Sequence, residues 1–335
     1  MAQQMKYFYE LTISSSPHAH SPVTTSTVMR DVLIALLPAL LGSIYFFGLR
    51  ALAVSLVSVG ACVFFEWAYR RLMKKDNTVP DLSAAVTGLL IAFVCPVTIP
   101  YWIVIIGDFF AIVLVKQLFG GIGKNLFNPA LSARAFLFSW PVVMSTWVKV
   151  GVEHSASLFF PADAVTAATP LAAMHTGSLE GVKLLDLFLG NVGGCIGETS
   201  ALLLLIGGVY LIARKVISFR IPAAFLGTVA LLSFLVPQGN PRFYWTAAQL
   251  LSGGLMLGAF FMATDYVTSP VTKWGQVIFG VGCGLITVAI RRFGAYNEGV
   301  SYAILVMNAF CVVLDKIGRP RKFGYVAPEV KKHEK

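Results

Sequence analysis

Long apolar stretches, broken by short polar connections, set the pattern of this chain. A bilayer is crossed by about 20 mainly apolar residues. On that measure the pattern predicts ten spanning segments, at 32–49, 51–69, 83–95, 101–118, 128–147, 196–213, 221–236, 249–263, 274–291 and 299–315. The third and eighth are short and rich in glycine and small residues, which predicts half-helices or tilted, broken segments rather than plain spans. Residues 1–30 are polar and hold no apolar stretch of the kind a cleavable leader carries, so the first span is expected to act as its own insertion signal. The expected organisation is a cytoplasmic N-terminal segment (1–30), a first membrane repeat (31–147), an outer loop (148–185), a second membrane repeat (186–315) and a basic cytoplasmic tail (316–335).

Charge placement orients this scheme, because cytoplasmic connections carry the excess of Lys and Arg. With the N-terminus inside, the inner connections hold Arg70, Arg71, Lys74, Lys75, Lys116, Lys124, Arg134, Arg214, Lys215, Arg220, Lys273 and the basic tail. The outer connections hold Arg50, Arg242, Arg291 and Arg292. Both termini are then expected in the cytoplasm, with loop 148–185 on the outer face.

Two parts of the chain echo each other. TGLLIAF at 87–93 resembles SGGLMLGAF at 252–260, and QLFGGIGKNLFNPALSARAF at 117–136 resembles RRFGAYNEGVSYAILVMNAF at 291–310. Read as a duplication, each half holds five spans, and an odd number forces the halves to be inverted relative to each other. The expected fold class is therefore an all-α integral membrane protein of about ten transmembrane helices in two inverted five-helix repeats, some helices short or broken. Such repeats place sites near their interface.

Composition agrees. Of 335 residues, 57% are hydrophobic and 13% charged, where globular chains carry roughly 25% charged residues. Mean hydropathy is +0.75. The net charge of +10 reads as positive-inside loops, not as a nucleic-acid surface. Five cysteines (Cys62, Cys95, Cys195, Cys283 and Cys311) lie in or beside apolar segments with no CxxC pair, so an iron–sulfur site carried by this chain alone is not expected. His18 and His20 have no companions spaced to complete a metal site.

Candidate chemistry begins in the outer loop, at DAVTAATPLAAMHTG (163–177). The plain reading is that Asp163 or Thr166 caps a short helix and Pro170 starts the next turn. The functional reading is that the Thr169 hydroxyl, flanked by Ala167, Ala168 and Pro170, is an attachment point. Acids at membrane depth are expensive, at least ~2.5 kcal/mol on insertion scales, and mark candidate ion paths. Asp108 falls mid-span, Glu198 opens the 196–213 span, and Asp265 lies close to Ser269-Pro270. Glu66 and Asp315 lie near span ends, where solvation or pairing with Arg70, Arg71 or Lys316 accounts for them. Asn128-Pro129 and Ser269-Pro270 stand at matching places in the halves, as helix starts or as exposed helix ends facing a ligand.

The loop motif resembles one family. Asp163-Ala164-Val165-Thr166-Ala167-Ala168-Thr169 is similar to the flavin-attachment motif D-x-x-[ST]-[GA]-A-T of the family that includes the D subunit of Rnf electron transport complexes and the B subunit of the sodium-translocating NADH:quinone reductase. Thr166-Ala167 stands where Ser-Gly is commoner, an exchange between small residues. The stretches 14–39, 120–136, 190–208 and 258–272 resemble the same family, so the likeness covers nearly the whole chain.

The resemblance implies FMN held by a phosphoester on Thr169, with Asp163, Thr166, Ala168 and Pro170 completing the site. It implies a second, non-covalent flavin, riboflavin, whose ligands the sequence does not place. It further implies a redox-driven sodium or proton translocase in which this subunit relays electrons. Its partners would be ferredoxin-, NAD- and second FMN-carrying subunits, membrane iron–sulfur subunits, a flavin-attaching transferase and membrane lipid. No GxGxxG follows a strand here, so nicotinamide is expected on a partner. The short segment before the first span favours the Rnf subunit over the quinone-reductase subunit. A flavin-free solute transporter, or a scaffold for other redox subunits, is the competing expectation.

Overall fold

Thr24 caps the first helix, its hydroxyl accepting from Thr27 N at 3.3 Å. That helix, α1 (Thr25–Phe47), ends at Gly48, whose positive φ of 76° turns the chain directly into α2 (Leu49–Leu72). The computed structural model describes residues 23–148, 169–175, 177, 179, 181–239, 241–294 and 298–317. The described residues form helices and connecting loops, with no β-sheet.

After α2 come α3 (Ser83–Phe93) and α4 (Tyr101–Phe109), the latter continuing as a π-helical stretch over Phe110–Gln117. Next are α5 (Pro129–Leu137) and the short α6 (Pro170–His175). The second half holds α7 (Ala201–Ala213), α8 (Arg220–Leu235), α9 (Arg242–Leu251), α10 (Leu255–Met262), α11 (Lys273–Phe293) and α12 (Val300–Ile317). Helices α1, α2, α11 and α12 are each long and apolar enough to cross a membrane. A fifth such span results if α9 and α10, bent by 63° at Ser252–Gly254, are taken together.

The apolar pattern finds helices, and packing sets how long each is. The short third segment is buried on nearly every face as α3, as an all-apolar helix must be. Gly88 makes this possible. A Cβ there would lie 2.8 Å from both Ser58 O and Val59 Cα, so α3 sits against the α2 backbone itself. The eighth segment is the broken α9–α10 pair. The 128–147 segment is not one helix: it stops at Leu137, and Pro141 opens a separate turn. Proline disfavours helical geometry in the residue before it. Likewise the 196–213 segment becomes helical only at Ala201.

α2 packs on α3 and α4, while α8 packs on α9 and α11. Two further pairs join the halves. α1 and α7 run antiparallel: Arg214, just past the end of α7, reaches Asp31 near the start of α1 at 3.2 Å. α5 and α12 also run antiparallel, with Arg134 of α5 paired to Glu298, two residues before α12 begins. With the Asn308 amide oriented to satisfy both its ends, its oxygen accepts from Asn128 N at 3.2 Å at the other end of α5.

Candidate functional site

Thr169 stands directly before α6. Its Oγ1 accepts from Ala172 N at 3.2 Å, so Thr169 itself caps this helix and Pro170 takes the first helical position. Asp163, Thr166 and Ala168 lie outside the described residues. Thr169, Pro170 and Leu171 border a cavity of about 260 Å³. Phe138, Met144 and Trp147 form apolar wall, and Gly193, Gly194 and Gly253 leave flat backbone. The charged lining is Arg134, Glu198 and Glu298.

Each charged group is there for a local reason. Arg134 projects from the buried face of α5, whose first turn is fixed by Asn128 Oδ1 accepting from Ala130 N (3.0 Å) and Leu131 N (3.4 Å). Glu198 is set by a backbone crossing. Ile196 N donates to Cys95 O at 3.0 Å and Gly197 N to Phe93 O at 2.9 Å, which lays residues 195–197 over the end of α3. Glu298 is set by the α9–α10 break. Gly254 N, freed there, donates to Glu298 Oε1 at 2.6 Å. The carbonyls of Gln249 and Ser252 at the same break accept from Arg291 at 2.6 and 3.1 Å. Backbone released at membrane depth must find such partners. Arg134 then bonds Glu198 through Nη1 and Glu298 through Nη2, with side-chain exposures of only 3%, 5% and 16%.

These positions correct several expectations. Arg134 is not in an inner connection: it is buried in α5 and lines the Thr169 cavity. Lys116, also assigned to an inner connection, is buried and paired with Glu66 at 2.7 Å, so Glu66 is neither solvated nor paired with Arg70 or Arg71. Among the described residues Asp315 caps the backbone and has no cation partner, accepting from Val271 N and Thr272 N at 3.0 Å each. Asn128 is a helix cap, as the plain reading held. Ser269-Pro270 does not start a helix; α11 begins at Lys273 behind its cap Thr272.

The three acids singled out from sequence do not meet. Glu198 borders the Thr169 cavity. Asp265 borders a smaller one of about 80 Å³, with Lys116, Asn125 and Asn128. Asp108 is fully buried between α4 and α2, its Oδ1 accepting from Ser58 Oγ at 2.7 Å. The two cavities flank opposite ends of α7: Glu198 and Thr199 at its start border the larger, Leu211 near its end the smaller. Thirteen residues of helix separate those ends, about 20 Å at 1.5 Å per residue. Sequence reasoning missed Glu298. The signal was an arginine in an apolar segment, which calls for an acid partner, and Glu298 lies in the repeat block that echoes the one containing Arg134.

These features describe a helical membrane protein with a charged cavity beside Thr169, placed where its two sets of helices meet. The chain belongs to the NQR2, RnfD, RnfE family, whose model matches residues 12–324. It is 48% identical to the D subunit of the Na(+)-translocating ferredoxin:NAD(+) oxidoreductase complex of Acetobacterium woodii, over 97% of this chain and 98% of the relative. It is 43% identical to the D subunit of the proton-translocating ferredoxin:NAD(+) oxidoreductase complex of Clostridium ljungdahlii, over 93% and 96%. The D subunit of the ion-translocating oxidoreductase complex of Halorhodospira halophila is 38% identical, over 92% and 94%.

Proposed function

We propose that this chain is the membrane subunit of an ion-translocating ferredoxin:NAD+ oxidoreductase complex, relaying electrons through FMN esterified to Thr169 and coupling their flow to Na+ or H+ movement. The observation that carries this reading is Thr169 at the edge of the 260 Å³ cavity. That volume lies just under the roughly 300–1,000 Å³ usual for small-molecule sites. Its apolar and glycine walls suit a flat ring, and Arg134, Ser145 and Thr199 offer polar contacts. Bound there, FMN would supply one-electron chemistry. Thr169 would tether it, Phe138 and Trp147 would exclude water from its ring, and Arg134 would face its polar edge. The motif positions Asp163, Thr166, Ala168 and Pro170 would serve the attachment. Riboflavin is proposed as a second, non-covalent flavin on the family resemblance alone, without assigned ligands.

The inverted architecture is part of the proposal. Its support is direction. α3 runs from Ser83 and Thr87 at the small cavity toward the large one, whereas α10 runs from Gly253 at the large cavity to Phe260 and Phe261 at the small one. α4 ends at Lys116 by the small cavity, whereas α11 ends at Arg291 beside Gly253. With the antiparallel α1–α7 and α5–α12 pairs, four sets of counterparts are opposed, as ten segments in two inverted halves require. Most of the described basic residues lie at the small-cavity end, which supports a cytoplasmic location for that end and an outer location for Thr169 in a bacterial inner membrane. Asp108, Glu198 and Asp265 are proposed as stations of the ion path. The partners proposed are the ferredoxin-, NAD- and FMN-carrying subunits, the membrane iron–sulfur subunits, and a flavin-attaching transferase.

The test is intact-mass analysis and in-gel flavin fluorescence of the chain co-expressed with its transferase. Wild type should gain the mass of one esterified FMN and fluoresce, and Thr169→Ala should do neither. An unmodified, dark wild-type chain would remove the reading.

A further inference from the structure

The floor of the Thr169 cavity holds more acid than its partner can neutralise. Arg134, from the first half, sits between Glu198 and Glu298 of the second. A Cβ on Gly254 would clash with Oε1 of both glutamates at once, so those oxygens lie within about 5 Å of each other, where like charges oppose each other's ionisation. Gly254 has no side chain to part them. Arg134 is nearly fully buried, and its Nε has no partner among the described residues, so its hydrogen-bonding capacity is not filled by the two acids.

Of the other groups nearby, none bonds a second cation to the pair, although Arg291 adds positive charge through space. Arg291 lies beside Gly253, but its guanidinium is held by Gln249 O, Gln249 Oε1 and Ser252 O, at 2.6, 3.0 and 3.1 Å. The thiols of Cys195 and Cys95 face the cluster from the loop and from the end of α3. Cys195 Sγ lies 3.7 Å from Arg134 Nη2 and 3.2 Å from Val94 O. None of these is a second cation bonded to a carboxylate.

We propose that Glu198 and Glu298 share one exchangeable proton, taken up when negative charge enters the Thr169 cavity and released when it leaves. The second clause rests on Thr169 carrying a flavin; the first does not. Arg134 bonds both carboxylates and Arg291 bonds neither, so a proton on one of the two relieves the repulsion between them. When an electron passes from an iron–sulfur group on a partner subunit to a flavin on Thr169, the donor would be oxidised by one electron and the flavin reduced by one. A hydronium ion at the cavity mouth then breaks one O–H bond, leaving water, as its proton forms an O–H bond on one of the two carboxylates. When the electron leaves, the O–H bond breaks and the proton returns to water. The cavity's net charge is conserved through the cycle, which lowers the electrostatic cost of holding the electron at membrane depth.

Infrared difference spectroscopy on the assembled complex tests this. Reduction with dithionite should produce a carbonyl-stretch band of a protonated carboxyl group that shifts in deuterated water. The band should be lost in both Glu198→Gln and Glu298→Gln complexes that still assemble. Should neither variant assemble, wild type carrying heavy-carbon glutamate decides the point, because the band must shift with the label. In a fluorescent wild-type complex, a band unchanged in both variants, unmoved by the label, or absent would overturn the proposal. A pH-jump spectrum of the Thr169→Ala complex separates the two readings. A dark wild type that still shows a pH-dependent band lost in the Gln variants sinks the flavin and keeps the shared proton. A fluorescent wild type with no such band in either experiment sinks the shared proton and keeps the flavin.

Discussion

Lys116 and Glu66 show what a single residue costs in this molecule. Their side chains are 4% and 1% exposed, and Lys116 Nζ also donates to Ser83 Oγ at 2.6 Å. Thr78 Oγ1 donates to the other Glu66 oxygen at 2.5 Å. Removing one partner leaves a buried charge alone, which costs about 3–5 kcal/mol, whereas removing both is often close to neutral. Lys116→Met should therefore lower thermal stability of the purified chain sharply. The Lys116→Met, Glu66→Leu double variant should recover most of that loss. A double variant as unstable as the single one would show that the pair is held for another reason, such as the adjacent Asp265 cavity.

Among the helices, backbone contact sets the architecture. Gly88 lets α3 lie on α2, and Ser58 at that crossing has its Oγ 2.8 Å from Gly88 O and 2.7 Å from Asp108 Oδ1. Gly88→Val should force the helices apart, at about 1–3 kcal/mol or more for overpacking, and loosen the hold on Asp108. The control lies on the facing helix. Gly60 of α2 has nothing within 4 Å of its Cβ position, so Gly60→Val should leave melting in detergent unchanged. Equal destabilisation by both would point to helix propensity or lipid contact, not to the α2–α3 crossing. The α9–α10 bend obeys the same logic in reverse. There the helix is broken, and Arg291 and Glu298 take up the backbone groups that the break releases.

For the whole molecule, the opposed cavities make a prediction about sidedness. Lys183, exposed near the Thr169 end, and Asn77, exposed beyond the basic end of α2, should face opposite compartments. In a background without native cysteines, a membrane-impermeant maleimide should label Lys183→Cys from outside intact spheroplasts. It should reach Asn77→Cys only after the membrane is opened. Labelling of both from one side would break the proposed orientation and the inverted-repeat reading with it.

Hydropathy and charge alone settle the broad class of this protein. Apolar segments of spanning length, with basic residues between them, leave little choice but a helical membrane protein, and all ten predicted segments contain helix. The loop motif around Thr169 likewise points to one family, and the family match agrees. Which residues share a site is a different matter, fixed by packing. Hydropathy reports how apolar a segment is, not what faces it. So Arg134 and Lys116 read as loop charges until their acids come into view, 64 and 164 positions away from Arg134 and 50 from Lys116. Helix lengths are hidden from the sequence for a related reason. Where α9 stops and α10 starts depends on side chains from elsewhere that satisfy the opened backbone, and Glu298 becomes visible only once that break is seen to hold it against Arg134.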